Sequence, residues 1–383
     1  VGSGKTAVAM AAAYMTVRNG FQAVMMAPTE VLAAQHFESF KAVFESLGIK
    51  VLLLTGGLKA KEKREALEKI ALGEADIIIG THALIQNKVE FLKVGLVITD
   101  EQHRFGVRQR QKLSDKGDHP HILVMTATPI PRTLALILYG DLDISIIDSM
   151  PPGRQKIETY AVNTSFRKRI YNFIDQQIEK GRQGYIICPM VEDNENIEAE
   201  SVIEYAEKLD STILAKRRVA VVHGRMKSDE KDIILKKFAA GELDLLISTT
   251  VIEVGINVPN ATVIVVENAE RFGLAQLHQL RGRVGRGTDQ SYCILLTDSK
   301  STITEERMKV MTSTTDGFII SETDLKLRGP GEFFGTRQHG LPDLKIANMY
   351  SDLKILKSAQ TAAQQIIQQD PELEKDENLR IHY

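Results

Sequence analysis

The chain has 383 residues, of which 43% are hydrophobic and 26% charged, so it is an ordinary globular protein and not a disordered or collagen-like chain. Lysine and arginine number 48 against 50 aspartate and glutamate residues, so any nucleic-acid site must be a local patch. Two isolated cysteines exclude a disulfide framework and a thiolate zinc site, and no apolar run approaches the ~18 residues that span a bilayer. We therefore expect a reduced cytosolic location and no membrane partner.

The chain opens on Gly2, Ser3, Gly4, Lys5 and Thr6, which form the second half of a phosphate-binding loop. In such a loop, backbone N–H groups contact phosphate oxygens, the lysine supplies charge to the β- and γ-phosphates, and the hydroxyl can bind Mg²⁺. An ordinary strand-to-helix turn is the alternative. The opening glycine of the loop and an initiating methionine are both missing, so we expect a fragment of a longer protein.

Five short apolar runs follow, separated by stretches with helical spacing at residues 30–47 and 59–72. Because the runs are almost continuously apolar, they predict a parallel sheet with helices on both faces, a doubly wound α/β domain. The runs are QAVMMAP, VLLLT, ADIIIGTH, GLVITDE and HILVMTAT.

Polar side chains follow two of these runs. Asp100 and Glu101 come at the end of GLVIT, at the sheet edge where open α/β sheets bind ligands. Asp100 would hold Mg²⁺ and Glu101 would orient or deprotonate the attacking water, although an acidic pair here is also a common helix cap. Thr126 and Thr128, in TATP, would bridge the nucleotide site to a neighbouring surface or simply cap a turn.

Pro151, Pro152 and Gly153 interrupt the pattern and predict a domain boundary. A second α/β series follows, so we predict tandem domains at residues 1–150 and 151–300. Residues 301–383 contain no further strand-like run, and their spacing predicts a helical segment. The second series consists of KIETYAV, QGYIICPM, RVAVVHG, DLLISTT, TVIVVEN and SYCILLT.

The second series contains a cluster of arginines and glycines, QLRGRVGRG. Arg283 and Arg286 have the side chain best suited to contact a γ-phosphate in the transition state, and the intervening glycines allow close approach of another backbone. A solvated basic helix is the alternative. Just before this cluster, Thr249 and Thr250 end a strand with hydroxyls that can contact nucleic-acid phosphates without net charge.

Together these motifs resemble those of superfamily 2 helicase motors. GSGKT, APTEVLAAQH, DEQH, TATP, STTVIEVG and QLRGRVGRG occur in that order. The later segment LRGPGEFFGTRQHG is similar to the translocation segment shared by the RecG and Mfd families, and its GPGE and GTRQ sequences favour RecG.

The resemblance implies two RecA-like domains that bind ATP and Mg²⁺ between them, followed by a helical translocation segment. It implies a monomeric translocase on double-stranded DNA, acting in the bacterial nucleoid on stalled forks, Holliday junctions and other branched intermediates. It assigns catalysis to Lys5, Asp100, Glu101, Arg283 and Arg286; nucleotide binding to Gly2, Ser3, Gly4, Lys5, Thr6 and Gln279; and the metal to Thr6 and Asp100. It assigns coupling and DNA contact to Thr29, Thr55, Thr81, His103, Thr126, Thr128, Thr249, Thr250, Arg328, Arg337 and Gln338.

Two other functions stay open at this point. An Mfd-like translocase would push RNA polymerase, and a P-loop phosphotransferase or nucleotide-dependent scaffold would hydrolyse ATP without regard to DNA. Separately, the lysines and Arg64 in KAKEKR form either a solvated helix face or a contact with DNA phosphates, which a steep salt dependence would reveal.

Overall fold

In the computed structural model, the described residues are 2–100, 116–126, 143–147, 149, 155–189, 195–209, 211–249, 258–333, 353–371, 373 and 375. Six of the predicted site residues lie outside them: Glu101, His103, Thr128, Thr250, Arg337 and Gln338. The chain divides into two compact units, one formed by Val1–Pro129 with Ile147–Ile320 and the other by Ile130–Ile146 with Ser321–Tyr383. The predicted division at residues 150 and 300 stays a prediction.

The first α/β layer structure, here called the first lobe, covers residues 2–126. Its strands are β1 (Gln22–Met26), β2 (Val51–Leu54), β3 (Ile77–Gly80), β4 (Val94–Thr99) and β5 (His121–Val124), and its helices are α1 (Lys5–Arg18), α2 (Glu30–Phe44) and α3 (Ala60–Ala71). Within the described residues the sheet order is β2-β3-β1-β4-β5, and every pairing is parallel.

Helices cover both faces of this sheet, as the continuous apolar runs predict. Successive strand residues point to opposite faces, and β1 shows this directly. Met25 packs with Phe40 of α2 in one buried cluster, whereas Val24 packs with Ile70 of α3 in another. Because both faces of the sheet are covered, every residue of β1 and β3 is buried, and neither strand alternates between polar and apolar residues.

The second lobe, residues 155–313, repeats this layout. Its strands are β6 (Glu158–Val162), β7 (Gln183–Ile187), β8 (Val219–Val222), β9 (Leu245–Ser248), β10 (Ala261–Val266) and β11 (Tyr292–Leu296), and its helices are α4 (Arg167–Glu179), α5 (Glu195–Leu209), α6 (Ser228–Ala239), α7 (Leu274–Arg281) and α8 (Thr302–Ser313). Over the residues described, the sheet order is β6-β11-β10-β7-β9-β8, again parallel throughout. Leaving β6 aside, the order is that of the first lobe, with β7 in the place of β1 and β10 in the place of β4.

The repetition extends to individual buried side chains. Gln22 begins β1 and donates from Nε2 to the carbonyl of Ile70, at the end of α3, over 3.1 Å. Gln183 begins β7 and donates from Nε2 to the carbonyl of Phe238, at the end of α6, over 2.6 Å. A buried amide therefore fastens the equivalent helix to the equivalent strand in each lobe, where it is a second donor to a helix-end carbonyl that also accepts from the N–H of Gly73 or Gly241.

Two further helices follow the second lobe, α9 (Gly317–Phe333) and α10 (Leu353–Gln369). They confirm the predicted helical C-terminal segment, and the predicted residue Arg328 lies within α9. The two cysteines, Cys188 and Cys293, are free and buried. Across the part of the chain that the structure describes, none of the helices combines the length and the apolar character needed to cross a membrane.

Candidate nucleotide and nucleic-acid sites

The glycines of the half phosphate loop adopt the conformation that such a loop requires. Gly2 and Gly4 have φ of 74° and 91°, a left-handed region that side chains disfavour. Gly4 caps α1, and Lys5 is the first residue of the helix. Among the residues that the structure describes, none has an atom within 4 Å of the position that a Cβ on Gly4 would occupy. The N–H groups and the positive dipole end at the start of a helix such as α1 suit an anion.

Asp100 lies at the neighbouring strand end. It directly follows β4, and its N–H donates to the carbonyl of Met26, at the end of β1, over 3.1 Å. Helix α1 packs against both β1 and β4, so the loop and the carboxylate belong to the same edge of the sheet. The parallel topology brings the loop and Asp100 to one edge, because the carboxyl ends of all strands of a parallel sheet lie on the same side.

A histidine that the sequence did not single out contacts this carboxylate. Nε2 of His36, on α2, lies 3.0 Å from Oδ2 of Asp100, and the two side chains are only 8% and 13% exposed. The motif APTEVLAAQH drew attention to Thr29, at the start of α2, and gave no reason to pair His36 with a residue far along the chain.

The oxygen donors at this edge fit Mg²⁺. Thr6 offers a hydroxyl and Asp100 a carboxylate, and Mg²⁺ prefers oxygen ligands and usually keeps several waters or substrate phosphates. Among the residues described, no cluster of three or more His, Cys, Asp or Glu side chains could hold a metal. One hydroxyl and one carboxylate are a ligand set that Mg²⁺ bound together with a nucleotide commonly uses.

The predicted nucleic-acid residues of the first lobe lie along the same edge. Oγ1 of Thr29 accepts from the N–H of Leu32 and caps α2, and the adjacent Glu30 accepts through Oε1 from the N–H of Gly57 over 2.9 Å. This second bond ties the start of α2 to the loop after β2. Three further predicted residues follow β2, β3 and β5: the buried Thr55, the buried Thr81 and the partly exposed Thr126.

A basic groove lies beside these residues, between α3 and the segment that follows β3. Its volume is about 820 Å³, and Lys63, Arg64, His82 and Lys88 line it together with apolar and amide side chains. No carboxylate is among the described residues that line it. The KAKEKR cluster is therefore more than a uniformly solvated face, since two of its cations line one concavity.

In the second lobe, the arginine motif follows the short helix α7. Gln279 is partly buried on that helix, Arg283 is buried and Arg286 is partly buried, with its Nε donating to the carbonyl of Gly282 over 3.1 Å. Burial raises the pKa of Tyr185, on β7, to about 12, and the positive charges of both arginines oppose that increase. Both positive charges therefore act electrostatically on Tyr185.

The glycines of the motif are required by close contacts. Gly285 has φ of 72°, and a Cβ there would lie 2.7 Å from Cγ1 of Ile157. At Gly287, a Cβ would lie 2.7 Å from the carbonyl oxygen of Pro259. Gly287, just after the last arginine, thus admits a neighbouring backbone, whereas Gly285, between the arginines, meets a side chain and needs glycine for its backbone angle as well. The predicted close approach of another backbone to the glycines between the arginines stays a prediction.

Arg281, from the same motif, has a different role. It is 2% exposed, and its guanidinium donates to the carbonyls of Met311 and Thr314 over 2.7 and 2.9 Å and lies 3.1 Å from Nδ1 of His278. Burial lowers its pKa, although the charge persists because an arginine starts from a very high value. Neither reading of the sequence, phosphate contact or solvated basic helix, predicted that this side chain joins α7 to the end of α8.

Thr249 lies at the end of β9, as predicted, but it is fully buried. Its Oγ1 has no hydrogen-bond partner among the described residues, and its carbonyl accepts from the hydroxyl of Ser248 over 2.8 Å. A phosphate contact by this hydroxyl would need a local rearrangement, so the role of Thr249 in DNA contact stays a prediction.

The sequence also did not predict a buried carboxylate in the second lobe. Glu267 follows β10 and is 4% exposed; Arg167 donates to both of its oxygens over 2.7 and 2.9 Å, and the hydroxyl of Tyr205 donates to Oε1 over 2.7 Å. Burial raises the pKa of Tyr205, and the negative charge of Glu267 raises it further. The residues come from α4, α5 and the strand end, so this network fastens two helices to the sheet.

Comparison with protein families divides the chain as the lobes do. Residues 1–137 match the DEAD/DEAH box helicase family, residues 166–288 match the helicase conserved C-terminal domain, and residues 314–382 match the C-terminal part of domain 3 of ATP-dependent DNA helicase RecG. The ATP-dependent DNA helicase RecG of Bacillus subtilis is 51% identical over 370 residues, which is 97% of this chain and 54% of that protein. The chain belongs to the RecG family.

Other comparisons agree. The RecG of Streptococcus pneumoniae is 53% identical, over 99% of this chain and 58% of that protein. A solved structure of RecG bound to a three-way DNA junction has 46% identity and a TM-score of 0.76, over 93% of this chain and 46% of that one. Yeast Dbp5 bound to RNA and ADP BeF3, with 18% identity and a TM-score of 0.59, shares the fold. The chain therefore spans about half the length of the RecG proteins that it matches, and these matches favour RecG over the Mfd-like alternative.

Proposed function

We propose that the chain is the motor of an ATP-dependent helicase that translocates on double-stranded DNA and remodels stalled forks and branched recombination intermediates. The observation that supports this most is the shared sheet edge in the first lobe. There the left-handed turn at Gly4 opens α1, and Asp100 ends the strand against which α1 packs. These features support a nucleotide site in which N–H groups bind the phosphates and a carboxylate lies at the same sheet edge.

In the proposed site, Gly2, Ser3 and Gly4 contact phosphates through their N–H groups and Lys5 neutralises the β- and γ-phosphates. Thr6 and Asp100 hold Mg²⁺, which would supply charge neutralisation between the phosphates. Glu101 orients the attacking water. Arg283 and Arg286, with Gln279 beside the nucleotide, stabilise the transition state, a contribution worth ~10³ to 10⁵ in rate for arginines of this kind. Closure of one lobe on the other would bring these groups together.

DNA would lie along the carboxyl edge of the first lobe. The cap at Thr29, its link to the loop after β2 and the basic groove at Lys63, Arg64 and Lys88 support this path. Phosphate contacts of this kind position a protein without reading sequence. A local patch also accounts for nucleic-acid binding by a chain whose net charge is −2.

Coupling to movement would pass from α7 toward the C-terminal helices. Arg281 joins α7 to the end of α8, and residue 314, whose carbonyl it contacts, begins the segment that matches RecG domain 3. Arg328, Arg337 and Gln338 would act further along, converting closure into a step on the duplex, with His103, Thr126, Thr128, Thr249 and Thr250 linking nucleotide and DNA. We propose a monomer, in the cytoplasm at the nucleoid.

The deciding experiment is Lys5→Ala in the full-length protein, assayed for ATP hydrolysis with and without branched DNA. We expect DNA-stimulated hydrolysis to be abolished, because the β- and γ-phosphates lose their cation. Lys208→Ala is the matched control, since its side chain is 77% exposed on α5. DNA-stimulated turnover that persists in Lys5→Ala would refute the assigned site, and hydrolysis that ignores DNA in the wild type would favour the P-loop enzyme without DNA work.

Arg337→Ala tests coupling separately. It should retain DNA-stimulated ATP hydrolysis and lose fork unwinding, because the role assigned to it begins after the chemical step. Parallel loss of both activities would contradict that role.

A further inference from the structure

The contact between His36 and Asp100 is a buried polar contact made by the proposed metal ligand itself. Nε2 lies 3.0 Å from Oδ2, with both side chains largely buried. An ionised carboxylate can only accept a hydrogen bond, so Nε2 must be the nitrogen that carries the proton in this contact. A bond to one named oxygen fixes the rotation of the carboxylate, and groups that hold a metal ligand in this way commonly govern metal affinity.

The position of His36 on α2 connects that carboxylate to the predicted DNA path. Helix α2 begins after Thr29, whose hydroxyl caps it, and His36 follows about two helical turns later. The adjacent Glu30 anchors the start of the helix to the loop after β2. Since Thr29 and His36 belong to one continuous helix and its cap, a contact at Thr29 that shifts α2 would shift His36 as well.

We propose that His36 is a positioning residue that orients Asp100 for Mg²⁺, and that α2 makes this orientation sensitive to nucleic acid bound at Thr29. The inference rests on the proposed ATP site. The alternative is a purely structural contact, in which His36 and Asp100 satisfy one another and removal of the histidine weakens the fold without a specific effect on metal.

Three variants of the full-length protein separate these cases. His36→Leu removes the donor and keeps an apolar group of similar size, whereas His36→Gln keeps an N–H donor near the position of Nε2. Phe40→Leu is the control for the packing of α2, because Phe40 is fully buried one turn further along the same helix and packs in the apolar core of the lobe. Folding is checked for each variant by circular dichroism and thermal unfolding.

The measurement is the affinity for a fluorescent ADP analogue, in Mg²⁺ and in EDTA, with and without a branched DNA. We expect His36→Leu to weaken binding in Mg²⁺ by about 10- to 100-fold while leaving binding in EDTA unchanged, as for other groups that orient metal ligands. His36→Gln should recover most of the loss, and Phe40→Leu should leave the difference between Mg²⁺ and EDTA intact. DNA should change the affinity in Mg²⁺ for the wild type and not for His36→Leu.

Each contrary result has a separate meaning. If the wild type binds the nucleotide equally in Mg²⁺ and EDTA, the proposed ATP site itself is wrong. If Mg²⁺ strengthens nucleotide binding by the same factor in the wild type and in His36→Leu, the positioning role is wrong. It is also wrong if His36→Leu weakens nucleotide binding as much in EDTA as in Mg²⁺. If His36→Leu responds to DNA as the wild type does, the link through α2 is wrong.

Discussion

The buried guanidinium of Arg281 offers the sharpest prediction about how the arginine motif is held. Its two donors reach the carbonyls of Met311 and Thr314 at 2.7 and 2.9 Å. Met311 lies in the last turn of α8 and Thr314 caps it, so both carbonyls belong to a helix end, where no donor within the helix is available. A positive charge there is also favoured by the helix dipole.

The cost of Arg281→Met follows from these contacts. Each hydrogen bond from a charged donor contributes roughly 1.5 to 3 kcal/mol, and each carbonyl left buried without a donor costs about 1 to 3 kcal/mol. Part of this loss in folding free energy is offset, because the variant no longer has to desolvate a buried positive charge. We expect a net loss of about 2 to 5 kcal/mol for Arg281→Met. Arg281→Lys should lose less, since the ammonium keeps the charge but lacks the second nitrogen, Nη2, that contacts His278 while Nη1 donates to both carbonyls.

Hydrogen exchange followed by mass spectrometry is the appropriate assay, because lobes with separate cores need not unfold in a single transition. The opening free energy of amides in α8 should fall in Arg281→Met, while amides of β1 and β3 in the first lobe provide an internal control. Arg182→Met is the matched surface variant, since Arg182 is 32% exposed and pairs with Asp289, and it should cost no more than ~1 kcal/mol. An unchanged α8 in Arg281→Met, within about 0.5 kcal/mol, would refute the reasoning.

Three further predictions concern the groove, a glycine and the thiols. If the Lys88 cation contacts one DNA phosphate, Lys88→Ala should make the dependence of the duplex-DNA binding constant on salt shallower by about 1 in the slope of log K against log salt. An unchanged slope would mean that the DNA does not contact Lys88. Gly285→Ala should destabilise the second lobe by more than Gly241→Ala in thermal unfolding, since both have positive φ but only Gly285 has a side chain within contact of the added Cβ. Burial raises the pKa of both cysteines to about 12, so neither should react with iodoacetamide at a pH near 8 until urea is added. In the unfolded chain the two thiols ionise at a pH of about 8.5, whereas in the folded chain they stay protonated until a pH of about 12. Ionisation therefore favours the unfolded chain, and the free energy of unfolding should fall as the pH rises from about 8.5 to 12.

Much of the fold was predictable because parallel strands covered on both faces leave a simple signal. ADIIIGTH and GLVITDE predicted β3 and β4 from continuous apolar character alone. The ends of these strands then placed Thr81 and Asp100 at one edge, since parallel topology permits no other arrangement. The start of α2 was equally readable, because the hydroxyl of Thr29 caps the helix.

What the sequence could not predict are contacts between distant parts of the chain. His36 and Asp100 are separated by 64 positions, and no local pattern specifies their pairing. The sequence also gives no basis for assigning different roles to Arg281 and Arg283, because they have the same side chain and lie two positions apart. Only the packing of α7 against α8 assigns Arg281 to backbone carbonyls, and a cationic motif cannot be divided into structural and ligand-binding members before the fold is known.

The carboxylates at equivalent strand ends of the two lobes have different partners, which bears on the proposal that the first lobe carries the nucleotide chemistry. Asp100 follows β4, and Glu267 follows β10, the strand that takes the same place in its sheet. In each lobe a helix from the equivalent position contacts the carboxylate, α2 through His36 and α5 through Tyr205. In the second lobe, however, Arg167 also binds both oxygens of Glu267 and neutralises its charge. A carboxylate held in this way has little capacity left for a metal, so Glu267 is a structural anchor, whereas Asp100, at the equivalent strand end, is the metal ligand that we propose.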